Sequence, residues 1–315
     1  MLTALACIAF SSAGLAQAWP SKPVTFIVPA AAGSGPDVSL RLYTDRLAKV
    51  IGQLVIVRNV VGASGAIGAQ AAAKSAPDGY TFFMGSNGHL VVNKYTMKNP
   101  GYKPDKDFVP VALLNRAPYM LLVNPALPIN SVAELGTYAR SNPGKAFLAY
   151  EGSSVQAIAA YTKQVLGLPI DLVAYNSPLQ AIQDTFGGSA QFHIQGTAIG
   201  LAFVTDQRLR ALAVLAAERL PQLANVPTMN ELYPNFGAFD AWLAIVAPTG
   251  TPPDIIKRMS AELHAIGSQD DLRAMFNKLG FFEETDRSPE RTAAYIKSQA
   301  EQFAKMAAVA DLKAE

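Results

Sequence analysis

The stretch Ala30-Ala31-Ala32-Gly33-Ser34-Gly35-Pro36-Asp37 has residue types suited to holding an anion without a cation. The small side chains of Ala31, Ala32, Gly33, Ser34 and Gly35 leave backbone N–H groups open to close approach. Pro36 suits the first position of a helix and Asp37 its acid-favouring first turn. Free N–H donors and the positive end of a helix dipole would converge there. By itself the pattern fits a plain strand-to-helix turn at least as well as a ligand site.

Other chemistries leave fainter marks. The histidines His89, His193 and His264 show no His-x-x-x-His spacing, and no acidic run has the pattern of a calcium loop, so no metal site is expected. Gly62-Ala63-Ser64-Gly65-Ala66 lacks the second glycine of a nucleophile elbow. Gly33-Ser34-Gly35 and the glycines at 62, 65 and 68 have the wrong spacing for a dinucleotide fingerprint. His193, in the apolar run Phe192 to Ile194, reads as a core residue, and His264, on a helix with mixed faces, as exposed.

The elements that must position these residues alternate. Val24 to Val28 is a β-branched apolar run closed by Pro29, the pattern of a strand buried on both faces. Leu40, Tyr43, Leu47 and Val50 then fall three and four apart on one helix face. Further strand-like runs are Leu54 to Val57, Tyr80 to Met84, Tyr119 to Val123, Phe147 to Tyr150, Leu172 to Tyr175, Leu209 to Val214 and Trp242 to Ala247. Ser131 and Ser288 open helices. This alternation predicts an α/β chain with largely parallel sheets. Tyr119 to Asn124 and Trp242 to Pro248 look like two crossings between lobes, a two-strand hinge.

With 315 residues, 50% hydrophobic and 16% charged, the chain is long enough for two domains with a large core. The net charge of +2 and the scattered Lys and Arg give no nucleic-acid footprint. Residues 1–18 are uncharged and end in Ala16-Gln17-Ala18, the pattern of a secretory signal cleaved before Trp19. Cleavage there removes Cys7, the only cysteine, so no disulfide or thiol chemistry is expected. Lipidation of Cys7 is a weaker alternative, since Ala4 fits such a site poorly.

The run Gly62 to Ala69, followed by Ala73-Lys74-Ser75-Ala76-Pro77-Asp78-Gly79-Tyr80-Thr81, resembles the diagnostic segment of Bug-type proteins, extracytoplasmic binding subunits of tripartite tricarboxylate transporters. Lys106-Asp107-Phe108 with Pro110-Val111, Gly187-Gly188, Leu209 to Val214, Asn225-Val226-Pro227-Thr228 and Ala247 to Pro252 match in order. The resemblance implies an α/β fold like the type II periplasmic binding proteins, two α/β lobes joined by a two-strand hinge. The lobes would be 19–122 plus 246–315 and 123–245, after a signal peptide at 1–18.

It further implies a periplasmic, monomeric, non-enzymatic receptor without cofactor or metal, which delivers a small carboxylate to integral membrane subunits. Its ligand residues would be Ala31 to Gly35 with Asp37; Ser86, Asn87 and His89; Tyr150 with Glu151, Gly152, Ser153 and Ser154; and Tyr175, Asn176 and Gln195. Several positions depart from the family pattern. Pro36 removes an N–H donor. Glu151, Ser153 and Ala157 stand where two glycines and a histidine are usual, Asn176-Ser177 replaces Lys-Gly, and Gln195 replaces an aspartate. Glu151 is expected either to point out into solvent, the commoner outcome, or to meet a cation or hydrogen-bond donor of a changed ligand. The small first loop with the two tyrosines favours a larger or aromatic acid over an amino acid. A sensor docking on a membrane receptor, or a hydrolase using the same cleft, are the alternatives.

Overall fold

A computed structural model describes residues 19–282 and 284–310. The expected signal sequence and Cys7 lie outside the described residues. Among the described residues, nine strands form one continuous, curled sheet: β1 Val24–Val28, β2 Val55–Asn59, β3 Thr81–Ser86, β4 Phe108–Val123, β5 Phe147–Glu151, β6 Asp171–Tyr175, β7 Phe192–Gly196, β8 Arg210–Val214 and β9 Asp240–Pro248. The order is β2-β1-β3-β9-β4-β7-β5-β6, with β8 also paired to β4.

The outer strands are parallel, β1 with β2 and β3, and β5 with β6 and β7. The centre is not. The strand β9 runs antiparallel to both β3 and β4, and β4 runs antiparallel to β7 and β8. The sequence pattern of largely parallel sheets therefore holds only away from the middle.

One long strand joins the two halves. Over Phe108 to Pro118 β4 pairs with β9, and from Tyr119 to Val123 it pairs with β7. The first half of β4 is hidden in the sequence by Pro110, Asn115, Arg116 and Pro118, which break the apolar pattern; the register shifts past Pro110 and again before Asn115. The strand β7 is hidden for a related reason, since His193, Gln195 and Gly196 interrupt its short apolar run although all five residues are buried.

The β1 strand is buried on both sides as its composition predicts. Phe26 and Val28 pack with Leu40, Tyr43 and Leu47, while Ile27 joins Ala66, Ala69 and Ala72 on the opposite side. The helix Gly35–Ile51 departs from its expected face at one end: Val50 is 53% exposed and Ile51 is buried instead. Ser131 and Ser288 cap their helices, accepting from the N–H groups of Glu134 and Arg291.

Arg116, near the end of the β4–β9 pairing, sits in a buried polar cluster. It donates to Asp240 Oδ2 at 3.0 Å and to Glu284 Oε1, and the Tyr295 hydroxyl donates to the same Asp240 oxygen at 3.2 Å. The cluster ties β4, β9, the segment at 284 and the helix Pro289–Val309 at one point.

Candidate functional site

The carboxyl ends of β3 and β5 open into the same cleft, the usual place for a ligand in an α/β sheet. After β3 the chain turns through Asn87 into the helical turn Gly88–Val92. After β5, Glu151 sits at the N-cap of the helix Gly152–Val165, but its side chain makes no capping bond. The cavity between them is about 390 Å³.

Gly88 is the centre of the arrangement. A point one bond out from its Cα lies 3.5 Å from each of the hydroxyl oxygens of Ser86, Ser153 and Ser154. These hydroxyls come from the last residue of β3 on one side and the helix after β5 on the other. The Ser153 hydroxyl also donates to Asn93 Oδ1 at 3.0 Å, linking the two sides directly.

His89 closes this wall. Its Nδ1 accepts the Ser86 N–H at 3.1 Å and lies 2.9 Å from the Ser86 hydroxyl. Burial pushes its ring down to about 4, so it is neutral near pH 7. Nε2 lies against Gly65, where an added Cβ would come within 2.0 Å. Opposite, Asn87 Nδ2 donates to the Tyr119 hydroxyl at 3.4 Å, and burial pushes that phenol up, which keeps its proton available for donation.

Glu151 corrects an expectation. It lines the cleft instead of turning outward: His193 Nε2 and Gln195 Nε2 each lie 3.1 Å from one of its carboxylate oxygens. The cause is register. Ala149 pairs with His193 across β5 and β7, so Glu151, two residues on, comes level with Gln195 on the same face. A ligand carboxylate about 4 Å from Glu151 would meet about 4 kcal/mol of repulsion at an effective dielectric of about 20.

The expected site residues divide by position. Ser86, Asn87, His89, Glu151, Gly152, Ser153, Ser154 and Gln195 come together on the cavity wall. From the first loop the wall takes Pro36, while Ala31, Ala32, Gly33 and Gly35 are exposed and Ser34 half-buried. That loop satisfies itself: Gly33 N–H donates to Asp37 Oδ2 at 2.8 Å, and Ser34 donates to Ala31 O through both its N–H and its hydroxyl. Asp37 is buried, and also accepts from Arg41 and Asn59 at 2.9 Å. Burial pushes its carboxyl up, but the hydrogen bonds from Arg41, Gly33 and Asn59 outweigh this and hold it at about 2.

Tyr150 packs against the main core, and Tyr175 against Ala149, Ala181 and Ala190. Asn176 is exposed. His193 is buried as expected but is bonded to Glu151, and among the described residues its Nδ1 has no partner. His264 is half-buried.

Ser64, Gly88, Tyr119, Pro178, Ile199 and Ala241 are among the further lining residues that were not singled out. Ser64 alone had a signal, since it lies inside the glycine-rich run and adopts φ 48°. A broader groove of about 840 Å³ lies elsewhere, between Tyr161, the segment around Phe236 and the C-terminal helix, and holds none of the candidate residues. Among the described residues, no cluster of three or more His, Cys, Asp or Glu could hold a metal ion.

The model of the tripartite tricarboxylate transporter family receptor matches residues 39–310. The chain belongs to this receptor family. Protein BugT of Bordetella pertussis is 34% identical over 272 residues, covering 84% of this chain and 83% of BugT. An R. palustris protein solved with adipate superposes on the receptor with a TM-score of 0.85 at 29% identity, covering 94% of this chain and all of that one (100%). MatC from Rhodopseudomonas palustris, solved with bound malate, gives 0.82 at 28% identity, with 91% and 99% covered. The receptor thus has the two-lobe α/β fold of the periplasmic solute-binding proteins.

Proposed function

We propose that this receptor captures a small carboxylate in the cleft between the β3 loop and the start of the helix Gly152–Val165, and delivers it in the periplasm to the integral membrane subunits of a tripartite tricarboxylate-type transporter. The observation that carries this reading is the convergence of the Ser86, Ser153 and Ser154 hydroxyls around Gly88 from both sides of one cleft, with Ser153 committed to Asn93 and Ser86 and Ser154 left to donate. The adipate and malate held by two structural neighbours support the ligand class. The lobes, 19–122 with 246–315 and 123–245, close by bending where the chain crosses between them; the change of partner along β4 near Tyr119 supports a division there.

Binding without turnover is the favoured reading. Ser86 and His89 are at the distance of a nucleophile and its base, but His89 Nε2 meets Gly65 and, among the described residues, no carboxylate to orient the ring. A thermal-shift screen against a carboxylate panel tests the proposal. A ligand present at about 100 times its dissociation constant adds about 2.7 kcal/mol of stability. One acid should raise the unfolding midpoint and be recovered unchanged after incubation. A folded protein that responds to no carboxylate, or that consumes its ligand, would overturn the reading.

A further inference from the structure

The cavity wall carries one full charge, and that charge is negative. Glu151 presents a carboxylate whose side chain is 14% exposed, and no Lys or Arg stands among the described lining residues. His89 does not supply a cation, because its Nδ1 accepts the Ser86 N–H and the ring is neutral.

The Glu151 carboxylate is fixed in place. Gln195 Oε1 accepts the Gly196 N–H at 2.8 Å, so the amide nitrogen of Gln195 must turn to Glu151. His193 Nε2 holds the second oxygen at 3.1 Å. Each carboxylate oxygen still has a lone pair to offer. The wall therefore has two unlike ends: hydroxyls at Ser86 and Ser154 that can donate, beside Ser153 whose proton is committed to Asn93, and a carboxylate acceptor at Glu151. A plain dicarboxylate matches only the first of these.

We infer that the ligand is a small zwitterion, a carboxylate that also carries a cationic nitrogen, with its carboxylate at the serine hydroxyls around Gly88 and its nitrogen on Glu151. This rests on the carboxylate-receptor reading and narrows it. It reverses the preference for a larger or aromatic acid, since Tyr150 and Tyr175 pack elsewhere and Glu151 faces in.

Calorimetric titration of the purified protein with matched probes tests it. Glutarate, L-glutamate and 5-aminovalerate share a five-carbon chain, and succinate, L-aspartate and 4-aminobutyrate a four-carbon chain; adipate, malate, citrate and benzoate widen the panel. A nitrogen-bearing probe should bind at least tenfold more tightly than its matched dicarboxylate. Glu151→Gln should weaken that probe by about 10- to 100-fold, the range of a hydrogen bond to a charged group, and leave the dicarboxylates unchanged or tighter.

If a dicarboxylate binds more tightly than every nitrogen-bearing probe, or if Glu151→Gln leaves the preferred zwitterion within twofold, the inference falls and the carboxylate receptor stands. If no probe of either kind binds the folded protein, both fall. Should Glu151→Gln fail to fold, the ranking of matched probes on the unaltered protein decides alone.

Discussion

At the scale of single residues, His89 joins the cleft to the stability of the fold. Burial holds its ring at about 4, well below the usual imidazole value of about 6.5. The unfolded chain therefore binds the proton first as pH falls, so the contribution of His89 to stability is present above about 6.5 and is lost toward 4. This is about 2 kcal/mol between pH 7 and pH 5 by linkage. Urea midpoints at the two pH values should show that loss, and His89→Gln should flatten it. A variant with the same pH slope as the unaltered protein would mean that His89 is not the group responsible. Asp37 belongs to a lower window, because its carboxyl is held at about 2 and its contribution disappears only as pH falls from about 4. The residue types were plain in the sequence, but their roles were not. Asp37 and the glycine-rich loop looked like an anion site, yet Gly33 N–H closes on Asp37 itself. A donor used inside its own loop is indistinguishable from a free one until the fold is known.

At the scale of elements, the join between β4 and β9 rests on Arg116. Asp240 and Glu284 are 7% and 5% exposed, and burial pushes both carboxyls up while Arg116 opposes it. Arg116→Ala would leave two buried carboxylates without their cation. The expected cost is about 3–5 kcal/mol, read from the denaturation midpoint at pH 7. The penalty should shrink as pH falls and the carboxyls take up protons. A loss under about 1 kcal/mol would show that the cluster is dispensable. The same join was the hardest element to see in the sequence. The strand β1 is a clean apolar run and was legible to the residue, whereas β4 carries two prolines, an asparagine and an arginine that only its bulges and buried partners make compatible with a central strand. Val50 and Ile51 differ in fate for a similar reason, since helix periodicity brings both near the apolar face and the neighbouring elements choose one.

At the scale of the whole molecule, binding depends on how the two sides of the cleft are held. Ser153 Oγ to Asn93 Oδ1, at 3.0 Å, spans it directly. Ser153→Ala should weaken the closed arrangement by about 1 kcal/mol and so lower ligand affinity about fivefold, with little change in the unfolding midpoint. Titration with the acid found by screening checks this, and an unchanged affinity would remove the bond from the account of closure. The sequence by itself determined the α/β alternation, the apolar strands, the helix caps and the family, because each is written in residues close together in the chain or in an ordered set of short motifs. Through the resemblance to a known family it also marked the segments after β3 and β5, which the structure brings to one cleft. Only the tertiary structure decided which donors remain for a ligand and which are used at home. It alone set Glu151 beside His193 and Gln195, because strand register places residues more than forty positions apart on one face. It alone brought three serines, one from the end of β3 and two from the helix Gly152–Val165, around Gly88. Local pattern fixes what a segment is, but the charge and donor balance of a cleft depends on distances between segments that no local pattern encodes.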